Sequence, residues 1–256
     1  MIASATLFGL DTDIAVSVTD PNCLDRAMRH TRSLARRLDE TINRGFGNAE
    51  IIALDLADGE PVMVSSLLDQ VIIEALFYDD LTDGATQAVL GPATVSPVPP
   101  WHRVNIGGAA TTIPAGLRLD LMATGRAFLA DHAAEVLARE LGCGVLIRVG
   151  AVAATAGEAP SGGQGTDEPW TVDIDGVRIP LCAGQATARV GHRSGAAGQM
   201  TIVAGSAAMA HAAGLYVLRE PTDPSPWLRD HAAAIRSDDD GTAAARPIGG
   251  HPVAAA

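Results

Sequence analysis

Between Cys23 and Thr41 apolar side chains recur at helical spacing, and this stretch constrains the fold more than any other. Leu24, Ala27, Met28, Thr31, Leu34, Ala35 and Leu38 fall on one face, while Arg29, Arg32, Arg36 and Arg37 cover much of the remainder. A helix of this kind has to bury its stripe against another layer. Just before it, Asp20-Pro21-Asn22 reads as a turn and N-cap, and Ile14 to Val18 alternate with the period of a strand. The expectation is an amphipathic helix packed on a sheet.

The rest of the chain mixes the two periods. Ile51 to Leu56 is apolar and reads as strand or short helix. Asp58-Gly59-Glu60-Pro61 is a turn. Ser65 or Ser66 is expected to cap a second helix through about Tyr78, with Leu67, Leu68, Val71, Ile72, Ala75 and Leu76 as its stripe. Thr82-Asp83-Gly84 ends it, and the proline-rich stretch 91–100 reads as irregular. Leu117 to Leu121 is a short strand, and a third helix is expected from about Thr124 to Leu141, closed by Gly142. Val145 to Val149 reads as a buried strand. Residues 155–168 read as a flexible loop. Trp170 to Ile174 and Val177 to Leu181 flank Asp175-Gly176, a hairpin signal. Met200 to Ala204 is a strand, Ser206 to about Leu218 a core helix, and 237–256 a disordered tail. Helices and strands neither alternate strictly nor segregate, so the expected class is α+β, mixed sheets packed with helices, with one domain over 1–236.

Composition narrows the chemistry. There are 18 basic residues against 30 acidic ones, a net charge of −12, which argues against nucleic acid or an anionic membrane as partner. All the basic residues are arginine. A Walker A lysine, a pyridoxal-phosphate Schiff base and a lysine-dependent aldolase are thereby excluded. No apolar run approaches the ~20 residues that span a bilayer, and the N-terminus has no basic region before its apolar stretch. Cys23, Cys143 and Cys182 are too few and too scattered for a disulfide framework or zinc site, and read as ordinary small residues. The expected location is a reducing cytoplasm. An acidic, alanine-rich surface neither demands nor forbids a dimer.

Motifs read alone give little. The Asp11/Asp13, Asp79/Asp80/Asp83 and Asp238 to Asp240 clusters could hold a hard cation but read first as solvated charge. His211 lies where a core helix would bring it near a strand end, as a structural histidine or a site residue. Arg126, expected in the first turn of the third helix, reads either as a phosphate ligand or as a solvent-facing arginine.

The order of segments, from about Phe8 to Leu218, resembles the ApbE-like FAD:protein FMN transferases. Asn43-Arg44-Gly45-Phe46 and Ala49-Glu50-Ile51 are similar to the family's Ser-Arg-Phe and Ser-Glu-Leu stretch, and Gly59 to Ser65 to its Gly-x-x-Val-x-Val-Ser run. Thr82 to Pro92 resembles Thr-Asp-Gly-Ala-Phe-Asp-Pro-Thr-Val-Gly-Pro, the most specific match. Leu119-Asp120-Leu121 through Arg126 to Asp131 resembles the segment that begins a helix at the flavin nucleotide. Val145 to Ala153 is similar to Val-Asn-Leu-Gly-Gly-Asp-Ile, Trp170-Thr171-Val172 to Trp-x-Val, and Met200 to Ser206 to Val-Thr-Val-Val-Ala-x-Ser.

The resemblance implies an ApbE-like, T-fold-related domain that moves FMN from FAD to a Ser or Thr hydroxyl of a target protein, with AMP release and Mg2+ assistance. It implies catalytic roles for Arg126 and His211. It implies flavin-nucleotide contacts for Gly84, Asp120, Gly125, Arg126, Asp131 and Gly150, and metal ligation by His211 and the backbone carbonyl of Gly125. Departures concentrate in the catalytic shell. The family's Gly-Gly is Met122-Ala123, its Lys is Arg126, and its metal-binding Asp and Thr fall at His211 and Leu215. Two further aspartates fall at Gln87 and Val152, and His192-Arg193-Ser194-Gly195 is a remnant of a longer His motif. The alternative function is therefore a catalytically silent homologue serving as a flavin-binding or protein-interaction module.

Overall fold

A computed structural model describes residues 2–91, 96–108, 110–161, 168–191, 199–219, 224–231, 234–237 and 246–247. The chain opens with β1 (Ala3–Gly9) and β2 (Thr12–Val18), then α1 (Leu24–Ile42), α2 (Ile51–Leu56), β3 (Val62–Met63) and α3 (Ser66–Leu81). Next come β4 (Val89–Leu90), β5 (Asn105–Gly107), β6 (Ala110–Thr112), β7 (Arg118–Leu119) and α4 (Met122–Leu141). Then follow β8 (Val145–Val149), β9 (Val152–Ala156), β10 (Trp170–Ile174), β11 (Val177–Leu181), β12 (Ala186–Val190) and β13 (Met200–Ala204). The order ends with α5 (Ala207–Arg219), α6 (Ser225–His231), β14 (Ala234–Ser237) and β15 (Arg246–Pro247). The elements group into two compact units. Unit 1 is Met1–Leu34 with Arg126–Ala256, and unit 2 is Ala35–Gly125, so the chain boundaries fall inside α1 and α4.

Unit 1 is built on an eight-stranded sheet in the order β1-β2-β8-β9-β12-β13-β14-β15. The pairing is antiparallel and puts Val16, Ile147, Ala154, Ala186 and Ala204 in one row across five strands. All five are buried. The row shrinks from branched residues to alanines where the alanine-rich α5 packs against β9, β12 and β13. There Gly214 comes so close to Val190 and Ile202 that a Cβ would not fit. Alternate positions point the other way: Leu146 and Ala153 form a core with Trp170, Val172, Ile174, Ile179 and Leu181 of the β10–β11 hairpin. Asp175 and Gly176 both take positive φ in its turn, as a tight hairpin requires.

Unit 2 carries α2, α3 and two small antiparallel sheets, β3-β6-β5 and β4-β7. Ser65 caps α3 by accepting the Leu68 N–H at 3.2 Å. Leu67, Leu68, Val71, Ile72 and Ala75 are buried as the helical stripe predicts, while Leu76 is half-buried.

The α+β class follows the segment order. β8, β10, β11 and β13 match the expected bounds, and the ambiguous 51–56 stretch is helix. Four differences are instructive. β1 was not anticipated, because its outer face is exposed and Phe8 is 72% accessible. β12 is short-chained and equally silent. β9 takes Thr155 and Ala156 from the expected loop, of which 162–167 lie outside the described residues. The third helix starts at Met122, not Thr124, so Arg126 sits in its second turn. In the expected tail, Ser237 ends β14 and Arg246–Pro247 form β15; 238–245 and 248–256 lie outside the described residues. No helix among the described residues is long and apolar enough to cross a membrane.

Candidate functional site

In unit 2 the segments that carry the sequence motifs are tied to one another. Arg44 donates from Nε and Nη2 to both carboxylate oxygens of Asp55 at 2.7 and 2.9 Å, and from Nη2 to the Leu119 carbonyl at 2.8 Å. Bidentate pairing fixes the guanidinium plane, which a lysine could not do. Glu50 accepts the Ser65 hydroxyl at 2.6 Å and the Ser65 backbone N–H. The Asp120 N–H donates to the Ala88 carbonyl at 2.8 Å, and β4 pairs with β7 beside it. Asp120 Oδ1 accepts the Met122 N–H at 3.4 Å at the start of α4.

The turn after α3 is held by a residue that sequence reasoning assigned to solvated surface. Asp79 is wholly buried. It accepts the Thr86 hydroxyl, the Ala88 N–H at 3.2 Å and the Val89 N–H at 3.1 Å. Burial pushes its carboxyl above the ordinary carboxylate range, against the pull of those donors. The signal was in the spacing: Leu68, Ile72, Ala75 and Asp79 share one helical stripe, and an acid on an apolar stripe is a buried, hydrogen-bonded acid. Its neighbour Asp80 is exposed and accepts from the His102 ring Nε2 at 2.6 Å and Trp101 Nε1 at 3.3 Å. Gly84 has φ +74, and a Cβ there would overlap the Trp101 ring. Gly125 is equally enclosed, since a Cβ would strike Ile42.

Unit 1 holds Arg126, Asp131, Gly150 and His211. Arg126 donates from Nε to the Leu10 carbonyl at 2.9 Å, in the β1–β2 turn where Leu10 and Asp11 both have positive φ. Gly150 forms the adjacent β8–β9 turn with φ +57. Its N–H donates to the Asp13 carbonyl at 3.0 Å, its carbonyl accepts from Arg148 Nη1 at 3.1 Å, and a Cβ would stand 2.8 Å from Thr12 Oγ1. Asp131, on α4, accepts the N–H groups of Ala207 and Ala208 at 2.7 and 3.1 Å and so caps the start of α5. Desolvation outweighs those bonds and, with Glu135 adding, raises its pKa to about 6. His211 lies one turn into α5. Desolvation first, and the Arg126 cation second, lower its pKa to about 4, so the ring is neutral at neutral pH.

The structure thus brings Arg126, His211 and Gly150 to neighbouring positions in unit 1, with Asp131 at the head of the helix that carries His211. It ties the Gly84 and Asp120 segments together in unit 2, where Gly125 follows in the first turn of α4. His192 to Gly195 lie outside the described residues.

These residues do not fit Mg2+. A magnesium ion takes hard oxygen ligands. The two side chains at the metal positions implied by resemblance are a neutral imidazole beside a guanidinium and Leu215, which has no donor. Among the described residues no group of three or more His, Cys, Asp or Glu is arranged to hold a metal ion.

The chain matches the ApbE family over residues 10–211. Among solved structures it is similar to the apo form of Pseudomonas stutzeri flavinyl transferase ApbE, with a TM-score of 0.75 and 14% identity, covering 93% of each chain. The ApbE protein of Thermotoga maritima gives a TM-score of 0.73 at 15% identity, over 96% of this chain and 97% of that one. A mutant of the Vibrio cholerae flavin transferase ApbE gives 0.75 at 13%, over 97% of each. No curated protein is a match. Likeness at such identity speaks for the fold, and the family match spans most of the sequence: this chain belongs to the ApbE family.

Proposed function

We propose that this chain is an ApbE-type flavin transferase, which binds FAD and moves FMN to a serine or threonine hydroxyl of a target protein. The hydroxyl oxygen forms a bond to the phosphorus on the flavin side, the pyrophosphate bond breaks, AMP leaves and the hydroxyl proton is released. The observation that carries this reading is the family match over residues 10–211, which takes in all the site positions from Gly84 to His211. Arg126 is the residue suited to hold negative charge on the pyrophosphate: one N–H is spent on Leu10, and a guanidinium has five in all. No part of this role is assigned to a metal ion.

A second reading has its own support. The neutral His211 and the donorless Leu215 stand where metal ligands are implied, and phosphoryl transfer depends on neutralising charge at the reacting centre. That favours a silent homologue that holds FAD without cleaving it.

Calorimetric titration of FAD into the purified chain, with and without Mg2+, followed by chromatography of the mixture for AMP, separates the two. Binding with AMP released in the presence of a serine- or threonine-bearing acceptor supports transfer. Binding with FAD recovered intact supports the silent reading. Absence of binding overturns the transferase reading and leaves, of the silent readings, the protein-interaction module alone.

A further inference from the structure

β1 stands at one end of the eight-stranded sheet and pairs on one side only, with β2. Its 7 residues run in unbroken register, from Ala3 opposite Val18 to Gly9 opposite Thr12, without a bulge. An open edge of this length is a template for another strand, and proteins blunt such edges with charge, proline, a bulge or a cover. From Ile2 to Leu10 there is no ionisable side chain and no proline, and among the described residues no strand lies beyond β1. The chain carries a net charge of −12, so this edge is a neutral strip on an acidic protein.

Hydrogen-bond parity shows which backbone groups are open. On the far side of β2, the Asp13 carbonyl accepts the Gly150 N–H at 3.0 Å and the Thr19 N–H donates to the Gly144 carbonyl at 2.9 Å. Odd residues of β2 therefore face β8, and the even ones from Thr12 to Val18 face β1. Their partners Gly9, Leu7, Ala5 and Ala3 turn their backbone groups to β2, which leaves the N–H and C=O of Ser4, Thr6 and Phe8 pointing outward, with Ile2 continuing the row. The side chains alternate as well. Ala3, Ala5 and Leu7 lie on the inner face and are only half-buried, although Val18, Val16 and Ile14 opposite them are fully buried. The inner layer stops short of β1. On the outer face, Phe8 is 72% and Ile2 47% exposed.

We propose that this edge is a homodimer interface, on which a second copy of the chain lays its own β1 antiparallel about a twofold axis at Ala5. A closed twofold contact requires a self-complementary strip. Outward groups must meet outward groups, so even residues pair with even ones. With the axis at Ala5, Ile2 meets Phe8 of the second copy and Ser4 meets Thr6, while on the inner face Ala3 meets Leu7 and Ala5 meets its own counterpart. The open backbone groups of all four even residues are then paired, and both large exposed side chains find an apolar partner. Moving the axis to Ser4 leaves Phe8 with no partner, and moving it to Thr6 sets Ile2 against the turn residue Leu10. No charge faces a like charge across the seam. A seam one strand long falls at the low end of specific interfaces, below about 1,200 Å2, so the dimer forms as concentration rises.

Sedimentation velocity on the untagged full chain, from about 1 µM to about 1 mM, tests this. The mass should rise from that of one chain, 26.3 kDa, toward twice that value and stop there. Thr6→Pro removes an outward N–H that β2 does not use, and should hold the mass at one chain over the whole range. Ser4→Lys with Thr6→Lys should do the same by facing like charges across the seam, and Ser4→Lys with Thr6→Glu should restore the dimer. Ala5→Cys, in a pair whose Cα atoms would stand about 4.5 Å apart, should cross-link the two copies through position 5 on mild oxidation. A wild-type mass that stays at one chain, climbs past two, or is unmoved by both Thr6→Pro and the lysine pair would overturn the proposal, as would a dimer that Ala5→Cys leaves without the cross-link. The lysine pair and the cross-link decide it even if Thr6→Pro fails to fold.

Discussion

In unit 2, Gly84 and Gly125 stand where a methyl group would strike Trp101 and Ile42, whereas in unit 1 Asp131 and His211 carry ionisable groups whose charged forms the fold disfavours. The glycines are explained by space, with a positive φ added at Gly84. A chain that had lost all activity would still keep them, because removing them costs stability. The two titratable residues are different: each holds a desolvated group, and Asp131 offsets part of that cost by capping α5, whereas among the described residues no hydrogen bond of His211 does the same. Space and capping account for Gly84, Gly125 and Asp131, whereas His211, a departure from the family pattern, carries a desolvated ring that neither accounts for.

The sharpest way to break this contrast is Gly84→Ala. A positive φ and overlap with the Trp101 ring act together, so we expect a loss of about 3–4 kcal/mol in urea unfolding. Adding Trp101→Ala should return part of the loss, because the two changes share one contact. A loss below about 1 kcal/mol would mean that the turn relaxes freely and that space does not explain the glycine.

The two titratable residues give stability slopes of opposite sign. The His211 pKa is about 4 in the fold against 6.5 ordinarily. Its contribution is present above 6.5 and is lost as pH falls toward 4. The Asp131 pKa is about 6 against 3.8. Its contribution is present below 3.8 and is lost as pH rises through 6. Each amounts to about 3 kcal/mol, and the windows overlap, so the two largely offset between pH 4 and 6. His211→Gln should uncover the Asp131 slope and gain stability on acidification over that window. Asp131→Asn should uncover the His211 slope and lose it. Parallel pH–stability curves for the two variants would remove the electrostatic half of the contrast. A smaller effect, about 1 kcal/mol, is expected for Ser65→Ala, which removes the α3 cap and the hydroxyl bond to Glu50.

Much of this was legible in the sequence wherever a signal is local. The β10–β11 hairpin announced itself through alternation and Asp175-Gly176, and α3 through its stripe and its cap. β1 and β12 were missed because one has an exposed outer face and the other packs mainly alanine against a helix, so neither shows a strong apolar period. α4 starts two residues before Thr124, where Asp120 Oδ1 accepts the Met122 N–H. The glycine positions were readable as backbone requirements. The surroundings of His211 were not, because Arg126 reaches it from a distant helix and no spacing rule encodes that meeting. Asp79 is readable from its place on the stripe, a signal masked by its place in a run of acids.

Because unit 2 is one continuous stretch, every bond that ties Arg44, Glu50, Asp79 and Asp120 into place can form once residue 125 has been made. The central sheet of unit 1 has no such option: β2 must wait for β8, and Ile14 finds Val149 only after the whole insertion has left the ribosome. Closing so long a loop carries an entropic cost that grows only slowly with length, but it delays the event. Until then the β1–β2 hairpin has an apolar inner face and an unpaired edge. That interval, between the synthesis of Val18 and that of Val145, is when the nascent chain is most open to mispairing.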